Sequence, residues 1–387
     1  MKARALLLFA FLIPSALSAP AREPFRLGTM TVPAGETLSG RLEVPDPEGK
    51  GTFIPVSVVH GAKPGKILAL IAGTHGYEYP PILALQRIRK EIDPKSLAGT
   101  LILVHIANLP SFQRRTVYYG PADGKNLNRV FPGDSRGTLS QRIAFVLTES
   151  VIKRCDALID MHCGDGNEAL IPYSYWTISG RPDLDERAKE LCLAFGLRHI
   201  IIDTTRTKDS ASSVYLANTG TLLGKPAITT EAGFLGRTDE ADVQRNIQGA
   251  KNVMRLLGLI EGRARPLSDP IWIDRYEVVM AGRDGLFYPK VKMGAPVKAG
   301  EAVGVLRDYW GEGAEDVRAP FAGIILYILG TPPANAGEPL FEVGRIKLAQ
   351  GASPNEGPQR KDRGAIRPPA GLFSPAREGD PDADKGR

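Results

Sequence analysis

The residues best suited to chemistry begin at Gly73-Thr74-His75-Gly76-Tyr77-Glu78, directly after an apolar run. An imidazole and a carboxylate three residues apart, flanked by glycines, can close on one metal ion from a tight strand-to-helix loop. On its own the pair also fits a loop histidine beside a helix-capping glutamate. A second histidine ends Leu158-Ile159-Asp160-Met161-His162. There an apolar strand reaches the edge at which ligands collect in α/β sheets. Taken together, His75, Glu78 and His162 make the His2Glu set of hydrolytic zinc sites, with a fourth position left for water. One zinc ion per chain is expected, and such a site lowers the pKa of bound water to about 7.

Water activated in this way still needs a base. Ala227-Ile228-Thr229-Thr230-Glu231-Ala232-Gly233 puts Glu231 at the end of another apolar run, where its carboxylate could take a proton and pass it to a leaving amine. The plainer reading is a surface glutamate at a strand end. Asp123-Gly124-Lys125-Asn126-Leu127-Asn128-Arg129-Val130-Phe131-Pro132-Gly133 is the longest signal. Arg129, beside Asn128, suits a forked grip on a substrate carboxylate. Upstream, Arg114 and Arg115 offer a cation for the oxyanion of a tetrahedral intermediate, although an arginine pair is more often a solvated face.

Positioning these groups requires strands that end together. Ile67–Ile71 reads as a buried strand, and Pro80-Pro81 then opens a helix carrying Ile82, Leu85, Ile88 and Ile92. Strands follow at Leu101–Ile106, Ala157–Met161, Ile200–Ile202 and Ala227–Thr229, with helices at Leu139–Ile152, Leu184–Phe195 and Val243–Leu257. This alternation predicts an α/β domain over residues 22–265 with a mixed, largely parallel sheet and flanking helices. Ahead of it, Phe25–His60 alternates β-type runs with Pro and Gly turns. From 266 to 348 strand-sized runs recur between glycines with no helical pattern, which predicts a small all-β domain.

The two ends read differently. Lys2 and Arg4 precede an apolar run from Ala5 to Leu17 and then small residues, the layout of a secretory signal peptide over 1–21. Export to the periplasm or the extracellular space is the expectation, with no membrane span in the mature chain. Residues 349–387 are Pro, Gly and mixed charge, the composition of a disordered tail. The net charge of +6 is scattered among acids, so it argues weakly for nucleic acid, and no such partner is expected. Cys155, Cys163 and Cys192 allow at most one bridge.

In this order, HxxE after a strand, NLNRxFPG, DxH and TxEAG, the sequence resembles the succinylglutamate desuccinylase/aspartoacylase family, itself similar to zinc carboxypeptidases. The resemblance spans about Phe25 to Val343. It implies a zinc carboxypeptidase-like fold, zinc on His75, Glu78 and His162, and Glu231 as general base. It further implies that Asn128 and Arg129 hold the substrate carboxylate and that an upstream arginine, Arg115 rather than Arg114, polarises the scissile carbonyl.

Two departures stand out. Asn126 replaces an Asp of many relatives, which removes a charge that would support a zinc histidine. Cys163 follows His162 and reads as a buried structural thiol, since adjacent residues of an extended chain face opposite ways. The C-terminal strands resemble the barrel-sandwich fold of biotinyl and lipoyl carriers. The stretch Arg307–Asp316 lacks the lysine a carrier needs, so a lid or wall is expected there. Tyr118 and Tyr119 are candidate pocket walls, while His60, His105 and His199 read as structural. The motifs imply hydrolysis of an amide in an N-acyl amino acid or other carboxylate-bearing small molecule. A carboxypeptidase acting on peptides or cell-wall stems would use the same groups. A non-catalytic ligand-binding module would be expected to lack a ligand or the base, and none is lacking.

Overall fold

The computed structural model describes residues 22–347 except 47, 48 and 50. The expected signal peptide and the expected tail lie outside the described residues. Among those described, no helix is long and apolar enough to cross a membrane.

A sheet of 13 strands runs through the molecule. At its centre Ala227–Glu231, Ala157–His162, Lys63–Ala72 and Ala98–Val104 lie side by side and parallel. Glu36–Val44 and Thr52–His60 extend it antiparallel on one side. On the other side come Tyr173–Thr177, His199–Asp203 and Ile271–Met280. The sheet is therefore mixed with a parallel core.

Side chains alternate across the Lys63–Ala72 strand. Leu68 and Leu70 pack with the helices Tyr79–Glu91, Pro182–Phe195 and Glu240–Leu256, through Leu85, Ile88, Phe195 and Val253. Ala69 and Ile71 pack on the opposite face with Ile143 and Leu147 of the Leu139–Ser150 helix. That two-residue period lets one apolar run serve two cores. Burying each such Leu or Ile contributes about 1.5–3 kcal/mol. Pro80 and Pro81 open the Tyr79–Glu91 helix, where a missing N–H costs nothing.

Beyond Leu256 the described chain is all β, as expected. Ile271–Met280 pairs with His199–Asp203 and with Pro339–Ile346, and Gly323–Leu329 pairs with Glu168–Leu170. The main sheet thus continues into the C-terminal strands. A separate sheet of four, Glu315–Arg318, Ala302–Arg307, Gly285–Pro289 and Pro333–Ala334, shares a core of Phe287, Val303, Leu306 and Phe341 with them.

Candidate functional site

Three adjacent parallel strands deliver the predicted residues to one sheet edge. His75 and Glu78 lie in the loop after Lys63–Ala72, His162 ends its strand, and Glu231 ends the next, directly opposite His162 in register. The loop needs its glycines. Gly73 has φ +69, and a Cβ on Gly76 would sit 2.4 Å from the Thr116 carbonyl oxygen and 2.6 Å from that of Ser111.

Both imidazoles turn Nδ1 toward one carboxylate. His75 Nδ1 is 2.7 Å and His162 Nδ1 2.9 Å from Glu78 Oε1. Ligating atoms of the three residues lie within 4.8 Å of one another. The opposite ring nitrogens are held from behind. His75 Nε2 is 3.1 Å from Asn126 Oδ1, an acceptor that would take the Nε2 hydrogen when Nδ1 turns its lone pair to a metal ion. His162 Nε2 lies 2.9 Å from Asp160 Oδ1 and 3.3 Å from Asn128 Nδ2. Asp160 is fully buried. Two nitrogens and a carboxylate, with an outer partner behind each ring, could hold one metal ion.

The local field suits a cation. Burial lowers the pKa of His75, but the Glu78 carboxylate outweighs it. Burial likewise lowers that of His162, and Asp160 with Glu78 raises it well above the ordinary histidine value. Conversely, the Glu78 carboxyl is held below the usual range: burial raises it, and His162 and His75 more than reverse that. Glu231 goes the other way, pushed up by burial and then, against the pull of His162, by Glu78 and Glu168.

These groups open into a cavity of about 450 Å3, a size that suits a small-molecule ligand. Tyr118 and Tyr119 line it, as the sequence suggested, and the Tyr118 hydroxyl donates to Glu168 at 2.8 Å. Arg129 also lines it; its guanidinium is 4.5 Å from the Tyr215 ring and donates to the Asn128 carbonyl at 2.8 Å. Asn128 is occupied as a brace, because its Oδ1 accepts from the Leu216 amide at 2.8 Å while its Nδ2 faces His162. Arg114 and Arg115 are not brought in. Both are exposed at the end of the Leu109–Arg114 helix, outside the cavity lining, and Arg115 has φ 53. Cys163 is buried, its thiol turned to the Gly164 carbonyl, and it is not among the three clustered ligands. All three cysteines are free.

Several lining residues were not singled out from sequence. Arg206 stacks 3.8 Å from the Tyr215 ring and pairs with buried Asp203. Tyr173, Tyr175 and Glu342 also line the cavity. Asp160 stood inside the DxH motif, and that spacing was the available signal for its bracing role.

Residues 64–257, half of the chain, match the succinylglutamate desuccinylase/aspartoacylase catalytic domain. The chain belongs to this family. Within it, the N-alpha-acetyl-L-2,4-diaminobutyric acid deacetylase of Halomonas elongata is 28% identical over 306 residues, covering 76% of this chain and 86% of that protein. The succinylglutamate desuccinylase of Silicibacter sp. TM1040 superposes with a TM-score of 0.72 at 24% identity, over 82% of this chain and 97% of its own. The product-bound ectoine utilization protein EutE (DoeB) of Ruegeria pomeroyi gives 0.71 at 23% identity, over 81% and 97%. At those identities the two structures speak for the fold alone, and the fold is that of the family.

Proposed function

We propose that this family member is a zinc-dependent deacylase that hydrolyses the amide of an N-acyl amino acid. The observation that carries the reading is the convergence of His75 Nδ1, Glu78 and His162 Nδ1 within 4.8 Å beside Glu231, in the lining of one cavity. Two imidazoles and one carboxylate form a donor set of hydrolytic zinc, and the braces from Asn126 and Asp160 suit it. When bound, zinc supplies Lewis acidity and lowers the pKa of a coordinated water to about 7.

The chain's own residues do the rest. Glu231 takes the proton of the attacking water on one oxygen and returns it to the departing nitrogen. Burial raises its pKa, which makes it a stronger base than an exposed glutamate. Arg129 holds the substrate carboxylate by a charge-assisted pair while Tyr215 supports the guanidinium plane. Asn128 keeps Arg129 and His162 in mutual register from the loop between them. Arg115 is the candidate to polarise the scissile carbonyl and has to swing inward from its exposed position to do so. The C-terminal strands, read as barrel-sandwich-like, wall the pocket. If residues 1–21 direct export, the reaction takes place outside the cytoplasm.

The relative from Halomonas elongata is named for deacetylation of an N-acetylated amino acid, which makes such compounds the first to assay. Purified protein should be incubated with N-acyl amino acids and with short peptides, and its metal content measured by elemental analysis. Release of free amine from N-acyl amino acids, with about one zinc per chain, is the expected result. Turnover of peptides alone would replace this reading with a carboxypeptidase.

A further inference from the structure

Amide hydrolysis as described leaves two cavity carboxylates, Glu168 and Glu342, without a task. Glu342 lies in the Pro339–Ile346 strand, is 1% exposed and still lines the cavity. Its partners are neutral: Tyr173 Oη donates to Oε2 and Tyr175 Oη to Oε1, both at 3.3 Å. The cation whose field reaches it, Arg206, is committed to Asp203. A carboxylate buried in this way is costly to keep ionised unless a cation joins it.

A second observation points to the same ligand. The Tyr327 hydroxyl has no hydrogen-bond partner, although the residue is only 6% exposed and lines the same cavity. Its hydroxyl feels the charge of both Glu168 and Glu342. Burial pushes each of those carboxyls up to about 7, so both are poised to ionise when a positive group arrives. An ammonium carries three donors, and this wall presents carboxylate and hydroxyl acceptors, while Arg206 in the same cavity is paired with Asp203.

We propose that Glu342 receives a substrate ammonium, so that the preferred substrate is an N-acyl diamino acid with one amine left free. The proposal rests on the deacylase reading for the acyl group and on Arg129 for the carboxylate. It disfavours substrates with a second carboxylate, which Glu342 would repel. Glu342 is here a specificity residue; it takes no part in bond breaking.

Binding of free amino acids reads this subsite without turnover. Calorimetry on the zinc-supplemented protein at neutral pH would compare 2,3-diaminopropionate, 2,4-diaminobutyrate, ornithine and lysine with alanine, 2-aminobutyrate, norvaline and norleucine. At least one diamino acid should bind about ten- to a hundredfold more tightly than its counterpart of equal length. Glu342→Gln should abolish that preference, and Glu342→Asp, which keeps the charge, should retain part of it. The proposal is overturned if no diamino acid outbinds its counterpart in the wild type, a comparison that needs no variant to fold. It is equally overturned if Glu342→Gln weakens both members of a pair alike. N-acyl hydrolysis measured in parallel separates the two ideas: a binding preference without any turnover would remove the deacylase and leave the ammonium site standing.

Discussion

Replacing Glu342 by Gln should change how the stability of the protein depends on pH, with no ligand present. Burial raises this carboxyl from 4.5 to about 7, even though the Tyr173 and Tyr175 hydroxyls pull it down. The folded state then holds the proton more tightly than the unfolded chain does. Between pH 4.5 and 7 it binds more protons, so the free energy of unfolding falls as pH rises and levels off above 7. At about 1.36 kcal/mol per pKa unit, the full penalty is about 3 kcal/mol at pH 8, and roughly 1 kcal/mol at pH 5. Gln does not titrate and still accepts from the tyrosines, but its new amide N–H groups lack acceptors, a pH-independent cost of about 1–3 kcal/mol. Urea denaturation of both proteins at pH 5 and pH 8 isolates the titration. The stability of the variant relative to wild type should move by about 2–3 kcal/mol in the variant's favour between the two. Glu168 titrates in the same window in both proteins and largely cancels. A relative stability constant to within about 0.5 kcal/mol would show that the Glu342 carboxylate is effectively solvated, and the reasoning from burial would be wrong.

Three further perturbations bear on the chemistry. His75→Ala and His162→Ala should each lose bound metal together with activity, measured by elemental analysis and amine release; full occupancy in the double variant would remove these residues as ligands. Glu231→Gln should keep fold and metal but lose about 10²- to 10⁴-fold in turnover, because an amide cannot shuttle a proton; activity within a few-fold of wild type would take the base role away. Arg129→Lys should fold and bind metal yet lose catalytic efficiency, since the ammonium lacks the planar fork. Arg129→Ala should lose more, about ten- to a hundredfold. An analogue with its carboxylate converted to an amide should be nearly indifferent to that change, and equal damage to acid and amide substrates would reduce Arg129 to a loop brace.

The candidate metal ligands were legible because their signal is local. His75 and Glu78 are three residues apart in one loop, and His162 and Glu231 each end an apolar run whose place in a parallel sheet follows from the strand–helix alternation. The lining contributed by Tyr173 and Glu342 was not legible. Glu342 follows Leu340 and Phe341 in a strand where a lone charge reads as a solvent-facing position. Its burial comes from Tyr173, 169 residues away in the chain, and no local pattern announces that contact. The Tyr173–Thr177 strand itself went unread, since its aromatic and polar residues lack the apolar run that marked its neighbours. Arg115 was legible from its motif, but its orientation was not. Its motif placed it near the right loop, but the left-handed cap of a six-residue helix turns it to solvent.

The division of labour in the cavity follows from how each side is held. His162 and Glu231 face one another across two parallel strands whose register is fixed by main-chain hydrogen bonds, and the His75 loop is locked by glycines that admit no Cβ. None of those restraints is supplied by a side chain of the C-terminal strands. Val278, Met280, Tyr327 and Glu342, by contrast, reach the cavity from Ile271–Met280, Gly323–Leu329 and Pro339–Ile346, which carry none of the reacting groups. Substitutions there are expected to change what the pocket accepts while leaving His75, Glu78, His162 and Glu231 in place. The buried carboxylate at Glu342 is tolerable on that side for the same reason: its cost in stability falls on a wall that the main sheet already anchors through the pairing of Ile271–Met280 with His199–Asp203.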